Sequence, residues 1–235
     1  MREPLPMAVA QPLCVPYDVA TNAATHAAAV RSAAARVVVF PELSLTGYEL
    51  DASVVPVDDP RLAPIVEACA AIRTLALVGA PVEGEAGRSH IAMLAVDGTV
   101  ATVAYRKIYP GTAEAERFCP GTEPAVLEVD GWRLGLAICK DTGVPEHAAT
   151  TAALGIDAYV AGTVKHAHEA TLQDERARRV ATTHRVWVAV ASFAGSTGGG
   201  FDHAAGRSSI WAPGGAVVAR ACDEARVIAC ATLKL

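Results

Sequence analysis

Aromatic residues are scarce in this chain: Phe, Trp and Tyr together make up 5% of it. Large rings therefore cannot carry the core. Ala and Val must fill it, which implies closely packed helices and thin layers. Long apolar runs are missing too; the longest are strand-length, so nothing in the sequence reads as a membrane span. No basic cluster occurs and the net charge is −5, which argues against a nucleic-acid or anionic-membrane partner. The six cysteines, at 14, 69, 119, 139, 222 and 230, form no C-x-x-C pair and no regular spacing. They read as reduced thiols in a cytoplasm, with no disulfide framework and no zinc site. The first ten residues are too few and too rich in proline for a secretory signal. No G-x-S-x-G, P-loop or dinucleotide fingerprint occurs, and Gly198 to Gly200 is most simply a flexible loop. His166-x-His168 has no third ligand nearby and reads as a polar helix start; neither metal nor cofactor is expected.

What is present fits one α/β domain over residues 1–235. Hydrophobic content is 52% and charged content 19%, too apolar and too lightly charged for a disordered chain. In order, the pattern predicts a strand over 7–15, an Ala-rich helix over 18–36 opening on Asp18, a β-branched strand over 36–40, and a helix over 60–73. Strand 75–81 follows, then a hairpin (91–96 and 99–105) around Asp97-Gly98 and a loop over 111–121. A second hairpin, 125–138, turns at Asp130-Gly131. The remainder reads as helix 146–154 with Pro145 at its first position, strand 158–164, helix 168–184, strand 187–192, a hairpin over 208–220 and a last strand over 226–231. Alternating βα units together with hairpins predict mixed sheets with helices on their outer faces.

Three residues stand where strands stop. Glu42 follows the strand ending at Phe40, Lys107 follows Tyr105-Arg106, and Cys139 ends the apolar run from Leu134. A thiol with a pKa of roughly 8.5 is mostly protonated at neutral pH and needs a base beside it. A carboxylate can take that proton, and an ammonium can stabilise the oxyanion formed when sulfur attacks a carbonyl or nitrile carbon. Residue types alone make these roles plausible; the spacing does not prove that the groups meet. A papain-like pairing would need a histidine beside Cys139, and none of the seven stands in a recognisable context.

The three segments, Val39-Phe-Pro-Glu42-Leu-Ser-Leu-Thr-Gly-Tyr48, Tyr105-Arg-Lys107-Ile108 and Gly135-Leu-Ala-Ile-Cys139-Lys-Asp141-Thr-Gly-Val-Pro-Glu146, resemble the motifs of the nitrilase-superfamily carbon–nitrogen hydrolases. Ala177 to Val190 and Gly206 to Gly215 extend the resemblance over nearly the whole chain. It implies a four-layer α–β–β–α sandwich, paired into a homodimer or higher homo-oligomer, that cleaves the carbon–nitrogen bond of a small amide through a Cys thioester. It assigns Glu42 as general base, Lys107 as oxyanion-stabilising cation and Cys139 as nucleophile, helped by the backbone N–H of Lys140. It also implies a second active-site glutamate, with Glu114 favoured over Glu116, and places Tyr48 beside the substrate. Lys140 stands where nitrilases carry Trp, which points to amides in place of nitriles. Thr142 and Gly143 stand where carboxylate-recognising members carry Arg. Two roles therefore stay open for Lys140 and Lys165: pocket cations for an acidic or strongly polar substrate, or side chains that point to solvent or pair with Asp141 and Glu169. An acyltransferase using the same trio, and a silent binding protein with the same fold, are the alternative functions.

Overall fold

The computed structural model describes residues 2–84 and 87–235. Its organising feature is a pair of six-stranded sheets, each covered on its outer face by two helices. The first sheet holds β1 (Leu5–Gln11), β2 (Val37–Val39), β3 (Leu75–Glu83), β4 (Ser89–Val96), β5 (Ala101–Arg106) and β14 (Val227–Leu233), in the order β14-β1-β2-β3-β4-β5. The second holds β6 (Val126–Val129), β7 (Trp132–Ile138), β8 (Ala158–Thr163), β9 (Trp187–Ser192), β12 (Ser209–Trp211) and β13 (Val217–Arg220), in the order β13-β12-β9-β8-β7-β6. In each sheet the centre is parallel (β1-β2-β3 and β7-β8-β9) and the flanks are antiparallel. Parallel strands buried on both faces read as unbroken apolar runs, as Val37–Val39 and Ala158–Thr163 do.

Three apolar clusters separate four layers. One lies between the sheets and includes Met7, Val39, Leu77, Leu136, Val160 and Ala191. Another packs α1 (Val19–Ala33) and α2 (Ala63–Ile72) on the first sheet through Ala23, Val30, Ile65, Val38 and Val78. The third packs α3 (Pro145–Ala153) and α4 (Ala170–His184) on the second sheet through Ala148, Ala177, Val180, Tyr159 and Val188. Small Ala and Val side chains let the layers approach closely, and the mixed α/β four-layer architecture follows the predicted one.

Element ends follow local chemistry. β1 stops before Pro12, which has no N–H to give to a ladder, so the strand is shorter at this end than the predicted 7–15. Asp18 caps α1 through Thr21 N (3.0 Å), and Ala34 ends the helix with φ +45°, ahead of the predicted Arg36. The Asp130-Gly131 turn has φ +50° and +80°, a type that suits a two-residue hairpin loop. The helix predicted from residue 168 begins as a 3₁₀ turn over Ala167–Glu169 before α4. The glycine loop is framed by a small hairpin, β10 (Ala194–Gly195) with β11 (Ala204–Ala205); two-residue strands carry no periodic signal and were invisible in the sequence.

Candidate active site

Elements from both sheets deliver their charged residues to one buried point. After β2 the chain turns through Pro41-Glu42-Leu43 between the sheets, held to β3 by Phe40 N to Leu77 O (2.9 Å) and Leu45 N to Gly79 O (3.0 Å). Each sheet presents a glycine to this turn. A Cβ on Gly79 would lie 2.3 Å from Leu43 N, and one on Gly162 would lie 2.6 Å from Phe40 O. His26 on α1 braces the turn from outside. Its Nδ1 donates to the Asn22 carbonyl (2.6 Å), so its Nε2 accepts the Ser44 hydroxyl (2.8 Å).

Lys107, just past β5, is buried, and its ammonium donates to Glu42 Oε1 and to Glu114 Oε2, both at 2.6 Å. Glu114 sits in a 3₁₀ turn over Glu114–Glu116 and also accepts the Tyr48 hydroxyl at Oε1 (2.7 Å). Glu116, on the same turn, is exposed. The Tyr48 ring stands edge-on to Phe193 and Phe201. Cys139 directly follows β7 and opens a 3₁₀ turn over Cys139–Gly143. Its φ of +43° is a conformation that non-glycine side chains rarely adopt, and such strain concentrates at functional positions. The sulfur rests 3.2 Å from the Val164 carbonyl, with 6% of the residue still accessible.

The electrostatics follow from burial. Removal from water pushes the Glu42 carboxyl up, the Glu114 charge adds to this and Lys107 opposes it, leaving Glu42 at about 8. Glu114 is buried as well, yet the Lys107 ammonium and the Gly111 N–H and Tyr48 O–H donors hold it below the usual carboxylate range. Burial works against the Lys107 ammonium, but Glu42, Cys139 and Glu114 outweigh it and keep it charged well above the ordinary range. The Cys139 thiol is raised to about 12, by burial first and by Glu42 second. The cluster therefore rests as a neutral thiol beside an ammonium and two carboxyls. Among the described residues, Glu42 Oε2 is buried without a hydrogen-bond partner. That leaves one carboxyl oxygen uncommitted, and the nearby Cys139 thiol helps to lower the carboxyl's pKa.

The structure thus brings together Glu42, Lys107, Glu114, Tyr48 and Cys139. Lys140 turns its ammonium away from this cluster, whereas Lys165, which follows Val164, is close enough for its charge to oppose the rise of the Cys139 thiol. Lys140 is exposed and its ammonium donates to the Pro110 carbonyl (2.9 Å). It does not pair with Asp141, which is fully buried and bonded to Ile138 N, Tyr109 N and the Tyr105 hydroxyl. Lys165 lies 3.4 Å from Glu169, the carboxylate one helical turn ahead. His166 and His168 stack on each other, and His166 stacks on Phe201. Among the described residues no group of three His, Cys, Asp or Glu could hold a metal ion, and no helix is long and apolar enough to cross a membrane. Sequence reasoning missed His26, Asp141 and His147 as parts of the site's frame. The one available signal was a carboxylate two residues beyond the strand-end cysteine.

Residues 7–235 match the carbon–nitrogen hydrolase family, and the chain belongs to that family. It is similar to a protein of Pseudomonas protegens described as a hydrolase in the pqqF 5' region, with 30% identity over 223 residues that cover 91% of this chain and 78% of that protein. Among solved structures it resembles the amidase of Nesterenkonia sp. AN1, with TM-score 0.86, 21% identity, and 97% and 90% of the two chains covered. It also resembles Nit3 of Saccharomyces cerevisiae, with TM-score 0.87, 21% identity, and 98% and 90% covered. The Nesterenkonia enzyme has been crystallised with acrylamide and with butyramide, and with the acetamide moiety of fluoroacetamide added to its active-site cysteine.

Proposed function

We propose that this protein hydrolyses small amides, with Cys139 as nucleophile, Glu42 as general base and Lys107 as the cation that steadies the oxyanion. The observation that carries the reading is the buried Glu42 carboxyl, close enough to Cys139 for the thiol to act on its titration, with Oε1 pinned by Lys107 and Oε2 without a partner. A thiol raised to about 12 is no resting thiolate, so the proton must leave as sulfur attacks. The thiol turns from the Val164 carbonyl to Glu42 Oε2 and gives it the proton while the carbon–sulfur bond forms. The carbonyl oxygen becomes an oxyanion held by the Lys107 ammonium and the Lys140 backbone N–H. Collapse breaks the carbon–nitrogen bond, the amine leaves with the proton stored on Glu42, and a thioester remains on Cys139. Water then gives a proton to Glu42 as its oxygen attacks the thioester; the carbon–sulfur bond breaks, the acid leaves, and Glu42 returns the proton to the Cys139 sulfur.

Glu114, itself held by the Tyr48 hydroxyl, gives Lys107 a second carboxylate partner besides Glu42. The exposed Lys140 after the nucleophile and the acrylamide and butyramide complexes of the Nesterenkonia amidase support an amide over a nitrile. Lys165 paired with Glu169 favours a neutral acyl group over an acidic one. The proposed working form is a homodimer in the cytoplasm. A panel of short aliphatic amides, nitriles and ω-amides with ammonia detection tests the reading. Turnover should be confined to the amides and fall to background in Cys139→Ala; undiminished turnover in that variant would overturn it.

A further inference from the structure

Behind the nucleophile lies a second set of buried polar groups that the mechanism above does not use. Asp141, Tyr105, His147 and Tyr159 come from the nucleophile turn, β5, α3 and β8, and each is at most 3% exposed. The Tyr105 hydroxyl is 2.8 Å from Asp141 Oδ2 and 2.8 Å from His147 Nε2, and His147 Nδ1 is 2.8 Å from the Tyr159 hydroxyl. The two oxygens of Asp141 also take backbone N–H groups, Tyr109 N on Oδ1 (3.0 Å) and Ile138 N on Oδ2 (2.9 Å).

We propose that this chain is a positioning device in which Asp141 fixes the distance between the nucleophile and the oxyanion cation. The proposal rests on the catalytic roles given above. Ile138 immediately precedes Cys139, and Tyr109 lies two residues after Lys107. β7 and β5 belong to opposite sheets, so one carboxylate ties the two sheets together where Cys139 and Lys107 leave them. A shared anchor of this kind sets the spacing between the sulfur and the ammonium, and a reacting group displaced by about 1 Å can cost on the order of 10²-fold in rate.

Proton positions make the device directional. A carboxylate that faces two N–H groups accepts only, so Tyr105 must donate its O–H to Asp141. The Tyr105 oxygen then accepts from His147, which places the imidazole proton on Nε2. Nδ1 is left to accept the Tyr159 O–H. Every group is satisfied in one arrangement, with His147 neutral; burial lowers its pKa against the pull of Asp141. Asn at position 141 would break the pattern, because either orientation of its amide turns an NH₂ toward one of the two backbone N–H groups.

The test measures thiol chemistry and proton location, neither of which depends on the amide substrate. In the wild type, ¹H–¹⁵N spectra should show His147 neutral with its proton on Nε2 across about pH 6 to 8. Iodoacetamide labelling of Cys139 should slow about tenfold or more in Asp141→Asn and in Tyr105→Phe, as expected for a misplaced base and cation. Val30→Ala, a core truncation under α1, serves as a destabilised control and should label within about twofold of wild type. A proton on Nδ1 of His147, or wild-type labelling rates in a folded Tyr105→Phe protein, would overturn the proposal. If the Asp141 variant does not fold, the wild-type spectrum and Tyr105→Phe decide. Failure of the amide panel with success here would sink the substrate reading and leave the positioning role standing.

Discussion

Glu42 has two oxygens with different partners, and its titration should be visible in the kinetics. Oε1 is held by Lys107, and Oε2 is buried without a partner. A general base must be unprotonated in the free enzyme, and burial together with the Glu114 charge holds Glu42 at about 8. The log of kcat/KM should therefore rise with pH and level off above an inflection near 8, where the carboxylate becomes the dominant form. Glu114→Gln removes a negative neighbour and frees Lys107 to serve Glu42 alone, so the inflection should move to lower pH even as the maximum rate falls. An inflection that stays in place, or moves up, would separate Glu42 from the observed titration. At this scale the sequence revealed the charged residues at strand ends but not their couplings. Lys165 and Glu169 were legible because a four-residue spacing brings side chains together. Asp141 looked like any polar turn residue, since its partners Tyr105 and Tyr109 arrive from the other sheet.

At the scale of elements, the turn carrying Glu42 depends on two strand glycines. Neither Gly79 nor Gly162 has positive φ, so each is required for space and not for conformational freedom. Gly79→Ala would put a Cβ against backbone that cannot yield without moving Glu42, and Gly162→Ala would do the same from the opposite sheet. Each should cost about 1–3 kcal/mol of stability by overpacking and lower kcat on the order of 10²-fold by displacing the base. Gly214→Ala, with nothing within 4 Å of its added Cβ, should change neither. Thermal melts with steady-state kinetics check all three. Normal kcat in both strand variants would mean that the turn is not held between these glycines. A glycine inside a strand pattern hints at close backbone approach, but the sequence could not say which segment approaches. The Asp130-Gly131 hairpin, by contrast, was legible because a two-residue turn fixes its own partner strands, whereas Asp97-Gly98 marked a hairpin whose strands pair from Val96 and Ala101 and leave four residues between them.

For the whole molecule, mixed sheets with helices outside them were legible in the apolar pattern, while the four-layer order was implied by the family resemblance. The closure of the first sheet was not visible: β14 pairs with β1 from Leu5–Leu233 to Gln11–Val227, joining segments from the two ends of the chain. Local patterning carries no information about such a long-range register. Global stability should carry the signature of His26, buried under α1 and held by burial at about 4. Its folded pKa lies below an unfolded value of about 6.5, so the unfolded chain binds the extra proton between those limits. The stability His26 contributes is fully present above about pH 6.5 and is lost as pH falls toward 4, by about 3 kcal/mol. Denaturant titrations should show the stability difference between wild type and His26→Gln shrinking by that amount over this window. A difference independent of pH would mean that His26 is not held neutral.

The catalytic assignment meets its most direct test in the acyl-enzyme. Glu42→Gln should keep the shape of the site while slowing proton transfer by about 10²–10⁴-fold in both the formation and the loss of a covalent intermediate. The variant and the wild type would be mixed with a short aliphatic amide, quenched in acid and mapped by peptide mass spectrometry. An acyl group is expected on Cys139 and on none of the other five cysteines, formed with release of one equivalent of ammonia and lost again in water. Amide turnover with no acyl group on Cys139 under any quench, or an acyl group on another residue, would contradict it.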